Sequence, residues 1–488
     1  MNSHVAIDLG ASSGRVVAGI VEDEQVQLEE LSRFPNEIVP IPASNNTAFY
    51  WDILRIWSEV LRSLRNMPHC DSIGVDTWGV DYGLLGPDGI LLGAPRAYRD
   101  PRTHGIPDQV FEVIPSTKLY ERNGLQRQDF NTLFQLVAET NSPSSSIGSA
   151  SNLALLPDLL GFWLTGKLVC EITNASTTGL VNPETRSWDT SVLQVLGQVG
   201  PDVARLLPPL VEPGTVLGTT RDGLQLPNTT VVSVATHDTA SAVAAVPAAS
   251  DTFGYISCGT WSLVGTELSR PVLSQAAHDA NFTNELGTDK RVRFLKNIMG
   301  LWIFNECFKE WRALSPTLTF EQLNGAMDET RAFRTLIDVN DPRFYPPGPM
   351  VDRIRSYAIQ TDQPVPKNPP EYYRCIMESL ALAYAQAITE TQELSGISFD
   401  RVNLVGGGSL NGFLCQLTAD ATGLVVEAGP AEGTALGNIL LQAQALGTIS
   451  SDPCARRAVA RRSSSTTSYF PKPHPSWRTA ANRITERK

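Results

Sequence analysis

The 488-residue chain is short of several things that would place it in a familiar class. No stretch reaches the roughly 18 apolar residues that a membrane-spanning helix needs, and the opening MNSHVAIDLG lacks a basic segment followed by an apolar run. Both absences lead to the expectation of a cytoplasmic protein. Seven cysteines are scattered singly with no CxxC pair, which speaks against a disulfide framework or a zinc site, and six histidines are equally dispersed. Charged residues make up only 18% of the chain, and the net charge of -12 would repel nucleic acid or an anionic membrane. Any phosphate must therefore be gripped locally. A P-loop is missing too: GFWLTGKL, from Gly161 to Leu168, ends in leucine where the magnesium-binding hydroxyl should be, and it falls inside a predicted helix.

What is present is 42% hydrophobic residues, enough for sizeable cores, in a chain whose length suggests two lobes. The first 22 residues read as strand, tight loop and strand: the apolar run to Leu9, then GASSGR, then a β-branched stretch from Val16. FGYISCGTWSLVGTEL repeats that plan, with Gly10 and Gly259 standing 249 residues apart. Two such hairpins, one opening each half, predict a duplicated architecture. Between them, PDLLGFWLTG reads as a helix with Pro157 in its first turn and Gly166 as its cap, and VVSVATHDTASAV as a strand, a polar elbow and a helix. The stretch AAVPAASDT reads as a linker. The predicted divisions are an N-terminal lobe over 1–245, a C-terminal lobe over 252–448 and a basic, solvated tail over 449–488, which holds nine basic and two acidic residues.

Eight prolines between Asp341 and Pro370 predict a loop-rich surface segment, followed by a long amphipathic helix through EYYRCIMESLALAYAQAITETQELSG. From Val402 the pattern is strand, helix, strand, helix.

Several residues are candidates for chemistry. In the first hairpin, Gly10 and Gly14 would let backbone amides approach a phosphate, Ser12 and Ser13 add hydroxyl donors, and Arg15 adds charge. Asp8 could orient water around a magnesium ion; a plain serine-rich turn is the alternative. Thr260 offers a similar hydroxyl in the second hairpin. The triplet Gly406 to Gly408 would let a flat nucleoside lie against bare backbone; with Glu427 at a suitable distance it also approaches a dinucleotide fingerprint, whose third glycine would fall at Asn411, and a nicotinamide enzyme stays the runner-up. In the elbow Thr236, His237, Asp238, Thr239, the carboxylate of Asp238 is a candidate general base, while Thr236 or Asp238 could equally serve as a helix cap.

Taken together, AIDLGASSGR, DSIGVDTWGVDYGLL, AYRDPRT, FNTLFQL, THDTASAV, SCGTWSLVG, LKNIMGLW and VGGGSLN resemble the FGGY carbohydrate kinases, and within them the rhamnulokinase group. The resemblance implies an α/β fold of two actin-like (ribonuclease H-like) lobes with a nucleotide and sugar cleft between them. It implies transfer of a phosphoryl group from ATP, with Mg2+, to L-rhamnulose. It places Ala11, Ser12, Ser13, Gly14, Arg15, Thr260, Asn305 and Gly407 at ATP; Gly79, His237, Asp238, Thr239 and Asn297 at the sugar; and Asp238 as the base. A kinase for L-fuculose or a xylulose, or a non-kinase nucleotide-binding protein on the same plan, would share the phosphate residues. A monomer or homodimer is expected.

Overall fold

A computed structural model describes residues 2–42, 46–67, 70–200, 202–472 and 474–485. It separates into two compact units, each built on its own sheet, and the chain passes between them several times. The first comprises Met1–Asp251, Glu267–Leu295 and Glu432–Ser464, the second Thr252–Thr266, Lys296–Ala431 and Ser465–Lys488.

The sheet of the first unit has six strands in the order Thr215–Thr219, Thr230–Ser233, Ser72–Thr77, Asn2–Leu9, Ser13–Glu22, Gln25–Pro35. Asn2–Leu9 and Ser13–Glu22 form the expected antiparallel hairpin, with Asp8 opposite Arg15 and Leu9 opposite Gly14. Ser72–Thr77 runs parallel to both Asn2–Leu9 and Thr230–Ser233, so these three strands end on one edge. Every residue of Ser72–Thr77 is buried, as a central strand covered on both faces requires. The predicted helix at Pro157 spans Leu156–Thr165 and stops at Gly166, whose φ of 80° is one that glycine adopts without strain.

In the second unit the strand order is Trp261–Leu268, Gly254–Cys258, Arg401–Val405, Val425–Ala428, Thr467–Tyr469. The hairpin Gly254–Cys258 and Trp261–Leu268 is again flanked by a strand, Arg401–Val405, parallel to its first arm. That repeats the plan of the first unit and accounts for the two similar hairpins in the sequence. The long helix Pro369–Ser395 is capped by the Asn368 side chain and ends at Gly396; it buries Tyr373, Ile376, Met377, Leu380 and Tyr384. Among the described residues no helix is long and apolar enough to cross a membrane.

Three expectations are corrected. The proline-rich segment is not all loop: Met350–Gln360 is a helix, because no proline lies between Pro349 and Pro364 and Met350, Ile354, Tyr357 and Ala358 make one buried face. The basic tail is folded rather than solvated. Pro453–Ser463 is a helix with Val459 and Ala460 in the core of the first unit, and Arg456 is 2% exposed, donating to Asp289, Thr288, Gln444 and the Ala244 carbonyl. Lastly, helix Gly433–Ala445, expected in the C-terminal lobe, lies on the first sheet, where Leu436, Ile439 and Leu440 pack on Ala6, Val17 and Val21. Its apolar spacing predicts a buried face but cannot say which sheet will receive it.

Candidate active site

The loop of the first hairpin is held closed by its own backbone and by one residue from the next strand end. Gly10 N–H donates to the Ser13 carbonyl at 2.9 Å. Asn36 donates its backbone N–H to the Ser12 carbonyl (3.1 Å) and its side-chain amide to the Gly10 carbonyl (2.8 Å). Ser12 is exposed at the tip, with Ala11 and Ser13 half-buried beside it. Gly14 has a packing reason to be glycine, since a Cβ there would run into the ring of Phe34 (2.6 Å from Cζ) and the Leu9 side chain (2.8 Å). Arg15 does not stand free: it pairs with Asp8 at 2.5 Å and with Glu432, the residue preceding helix Gly433–Ala445.

Two further carboxylates gather at this edge. Asp76 is the strand neighbour of Asp8 and fully buried; it accepts from the Asn438 amide at 2.6 Å. Desolvation first, then the charge of Asp8, pushes its carboxyl well above the usual carboxylate range. Asp238 is raised in the same direction by desolvation and by Asp8, against the opposing pull of His237.

The elbow that carries Asp238 is tied to the sheet edge. Thr77 N–H donates to the Thr236 carbonyl at 2.9 Å, extending the parallel pairing. The buried Glu171 carboxylate accepts from the Thr236 amide (2.9 Å) and hydroxyl (2.8 Å), and from the Thr173 amide (2.9 Å) and hydroxyl (2.5 Å). Thr236 therefore does not cap the following helix, Asp238–Ala244. The N-cap is His237, which makes no capping bond, and Asp238 is the first helical residue, accepting from the Thr239 amide at 2.6 Å and hydroxyl at 3.2 Å. Thr236 is thereby excluded as the cap, while Asp238, though not at the N-cap position, still satisfies one free amide at the helix start.

His237 is lodged against a buried ion pair. Arg293 Nη2 lies 3.0 Å from His237 Nδ1 and 3.1 Å from Glu285 Oε2; His237 Nε2 is 3.5 Å from Asp238 Oδ1. In the same unit, Gly79 is pressed against Thr177, whose Oγ1 would be 2.9 Å from an added Cβ. Val80, next in sequence, has φ of 70°, a strained conformation for a β-branched residue. It is pinned there by Thr177, which accepts its N–H (3.1 Å), and by Thr132 and Gln135, which donate to its carbonyl (2.7 and 3.2 Å). The adjacent Asp81 accepts from the indoles of Trp51 (2.6 Å) and Trp78 (2.9 Å); burial moves its carboxyl up to about 6.

The second unit groups the remaining candidates around its own hairpin turn. Gly300 and Trp302 donate backbone N–H to the Thr260 carbonyl, and Leu301 to that of Gly259. Asn305 is exposed on the helix Trp302–Leu314 that starts there, with Phe308, Lys309 and Arg312 lining a shallow depression beside it. Asn297 is half-buried on the strand Val292–Met299 leading into the turn. Of the glycine triplet, Gly406 (φ 84°) and Gly408 are pressed onto Cys258, and only Gly407 has open space where a side chain would be. A bare backbone face thus exists at one position rather than three.

Comparison with known proteins gives this geometry a family. Models of the FGGY family of carbohydrate kinases match the chain twice, the N-terminal domain over residues 3–245 and the C-terminal domain over 254–446. The chain belongs to this family. Among its relatives are proteins named rhamnulokinase from Oceanobacillus iheyensis, 41% identical over 93% of this chain and 96% of the relative. Another, from Bacteroides thetaiotaomicron, is 40% identical over 97% and 96%. Solved structures share the fold at low identity: a xylulose kinase from Lactobacillus acidophilus, at 17% identity and TM-score 0.79, covers 100% of this chain and 97% of its own. Plasmodium falciparum glycerol kinase with ADP, at 15% and 0.75, covers 100% and 98%.

In this carbohydrate kinase the residues that hold the candidate site are mostly ones the sequence did not single out. Asn36, Glu171, Arg293 and Glu432 meet the first hairpin, Thr236, His237 and Arg15 respectively from well along the chain, and share no short motif with them. A buried acidic residue preceding a helix, as Glu171 precedes Ile172–Ala175, resembles any other N-cap until the fold brings Thr236 to it.

Proposed function

We propose that this kinase transfers the γ-phosphoryl group of ATP to the hydroxyl on carbon one of L-rhamnulose. The observation that carries the reading is the uniform naming of relatives at about 40% identity over more than nine-tenths of the chain as rhamnulokinases. Ala11, Ser12, Ser13, Gly14 and Arg15 face the phosphates, with Thr260, Asn305 and Gly407 of the second unit on the nucleotide side. Gly79, His237, Asp238, Thr239 and Asn297 contact the sugar. The sugar oxygen bonds to the γ-phosphorus as the bond to the β–γ bridging oxygen breaks, ADP leaves, and Asp238 takes the hydroxyl proton. Its raised proton affinity suits a base. Among the described residues no cluster of three or more ligating side chains stands ready for a metal, so Asp8, near Asp76 and Asp238, would meet Mg2+ through its water shell, and the ion would neutralise the triphosphate. Arg15 shares Asp8 with that role, so the pair moderates the negative charge before ligands arrive.

A panel of ketoses assayed by coupled ADP release, with the product located by phosphorus NMR, tests the assignment. L-rhamnulose should give the highest kcat/KM and a 1-phosphate. A higher value for L-fuculose or a xylulose would move the substrate and leave the kinase chemistry in place.

A further inference from the structure

We infer that Arg293 is a positioning residue of the phosphoryl transfer: it holds His237 in the tautomer that carries its hydrogen on Nε2. The ring then offers a donor, not an acceptor, on the side of Asp238. The inference rests on the reading above that His237 faces the sugar.

The geometry runs from the hairpin inward. Glu285 on strand Thr283–Leu286 is the direct cross-strand partner of Arg293 on Val292–Met299. Arg293 is wholly buried, and a guanidinium there needs both a counter-charge and acceptors. Glu285 supplies the counter-charge, its Oε2 lying 3.1 Å from Nη2, and Nε and Nη2 donate to the Leu286 carbonyl at 3.3 Å, while Nη1 finds no hydrogen-bond partner among the described residues. The fork is thereby fixed with Nη2 aimed at His237 Nδ1, 3.0 Å away. Guanidinium nitrogens only donate, so Nδ1 must present its lone pair, and the ring hydrogen of the neutral imidazole goes to Nε2. Glu285 also approaches Nδ1, at 3.3 Å, but a hydrogen on that nitrogen would face the closer Arg293 N–H head-on.

On the other side, Nε2 stands 3.5 Å from Asp238 Oδ1, too far for a good hydrogen bond within the chain. A donor and a carboxylate side by side make the complement of one hydroxyl group, which accepts from Nε2–H and donates to Asp238. Arg293 would thus decide, without touching the sugar, that the site recognises a hydroxyl at the point where its proton is removed.

Nitrogen-15 NMR of the full-length enzyme labelled at histidine, with the His237 signal assigned by its loss in His237→Gln, reads the tautomer directly. The expected spectrum has an unprotonated Nδ1 and a protonated Nε2. In the pair variant Arg293→Met with Glu285→Gln, which removes both buried charges together so that neither is stranded, the signals should shift toward a mixture of tautomers. KM for the sugar should rise by about tenfold or more, the scale of one hydrogen bond, with KM for ATP unchanged. Arg293→Lys can still donate to Nδ1 and should keep the tautomer and most of the sugar affinity. A protonated Nδ1 in the wild type overturns the inference, as does a folded pair variant with unmoved signals and unmoved sugar KM. If the tautomer is as expected but His237→Gln leaves sugar KM untouched, the positioning role is also lost, this time because the sugar contact fails and not the Arg293 geometry.

Discussion

Asp238 is the residue at which local structure and chemistry separate most cleanly. It occupies the first helical position, not the cap, and its carboxylate accepts from the neighbouring Thr239 and is approached by His237. Asp238→Asn keeps size and polarity, so folding and ATP affinity should stay near wild type. Without the proton acceptor, kcat should fall by roughly two to four orders of magnitude. Thermal unfolding, nucleotide titration and turnover measured on one preparation check this, and activity within about tenfold of wild type would remove Asp238 from the chemistry. The acidic and polar residues of short motifs, Asp8, Arg15 and His237 to Thr239, were legible because strand-to-loop junctions expose chemistry in consecutive residues. The glycines were legible too, but for a different reason than the one they serve: Gly14, Gly406 and Gly408 make room for Phe34 and Cys258. A sequence records that a side chain is missing; it does not record what fills the space. The contacts of Glu171 with Thr236, of Asn36 with the first hairpin and of Arg293 with His237 could not be found at all, since only the fold brings these residues together.

Helix Gly433–Ala445 shows what an element contributes. Gly437 lies so close to helix Asp238–Ala244 that a Cβ would overlap the Ser241 carbonyl. Gly437→Ala must push the two helices apart, shifting the short one whose first residue is Asp238. A loss of about 1–3 kcal/mol or more in denaturant unfolding is expected, with a fall in kcat in whatever fraction remains folded. The same helix also carries polar residues, Asn438 and Gln442, into the core beside its apolar ones. Gln442 accepts from the Ser72 hydroxyl (2.6 Å) and donates to the Val5 carbonyl (2.9 Å) and to Asn438 (2.6 Å); Ser72 in turn meets His4 Nδ1 (2.8 Å). Burial lowers the His4 pKa from 6.5 to about 4, the nearby Asp71 opposing it. Between those values the unfolded chain binds a proton that the folded one refuses, so stability contributed here is present above pH 6.5 and lost as pH falls toward 4. The melting temperature of wild type should drop over that range more steeply than that of His4→Gln; equal slopes would contradict it. The helix itself was evident from its apolar spacing, as was Pro369–Ser395. Met350–Gln360 was hidden by the prolines on either side, which mark where a helix cannot run but not where one can fit between them.

For the molecule as a whole, the decisive feature is that the first unit is completed by residues 267–295 and 432–464. A duplicated two-unit plan could be read from the paired hairpins, yet contiguous halves could not deliver these segments. A fragment ending at Asp251 would expose Ala6, Val17, Val21 and Val26 where Leu436, Ile439, Leu440 and Val459 should cover them. It would also lose the bonds that Gln442 makes to the Val5 carbonyl and the Ser72 hydroxyl. That fragment should show no cooperative thermal transition by circular dichroism, and a sharp one would show that the covering helices are dispensable.

The same interleaving sets a timetable for synthesis. The bond from Gln442 to Val5 closes a separation of 437 residues. At ~5–20 residues per second, the first strand leaves the ribosome on the order of tens of seconds before its covering helix exists. For that interval the nascent sheet has a greasy side and nothing native to put on it. Cells making this kinase must therefore shelter a half-built unit during translation, and slowing elongation late in the message should cost soluble yield more than slowing it early.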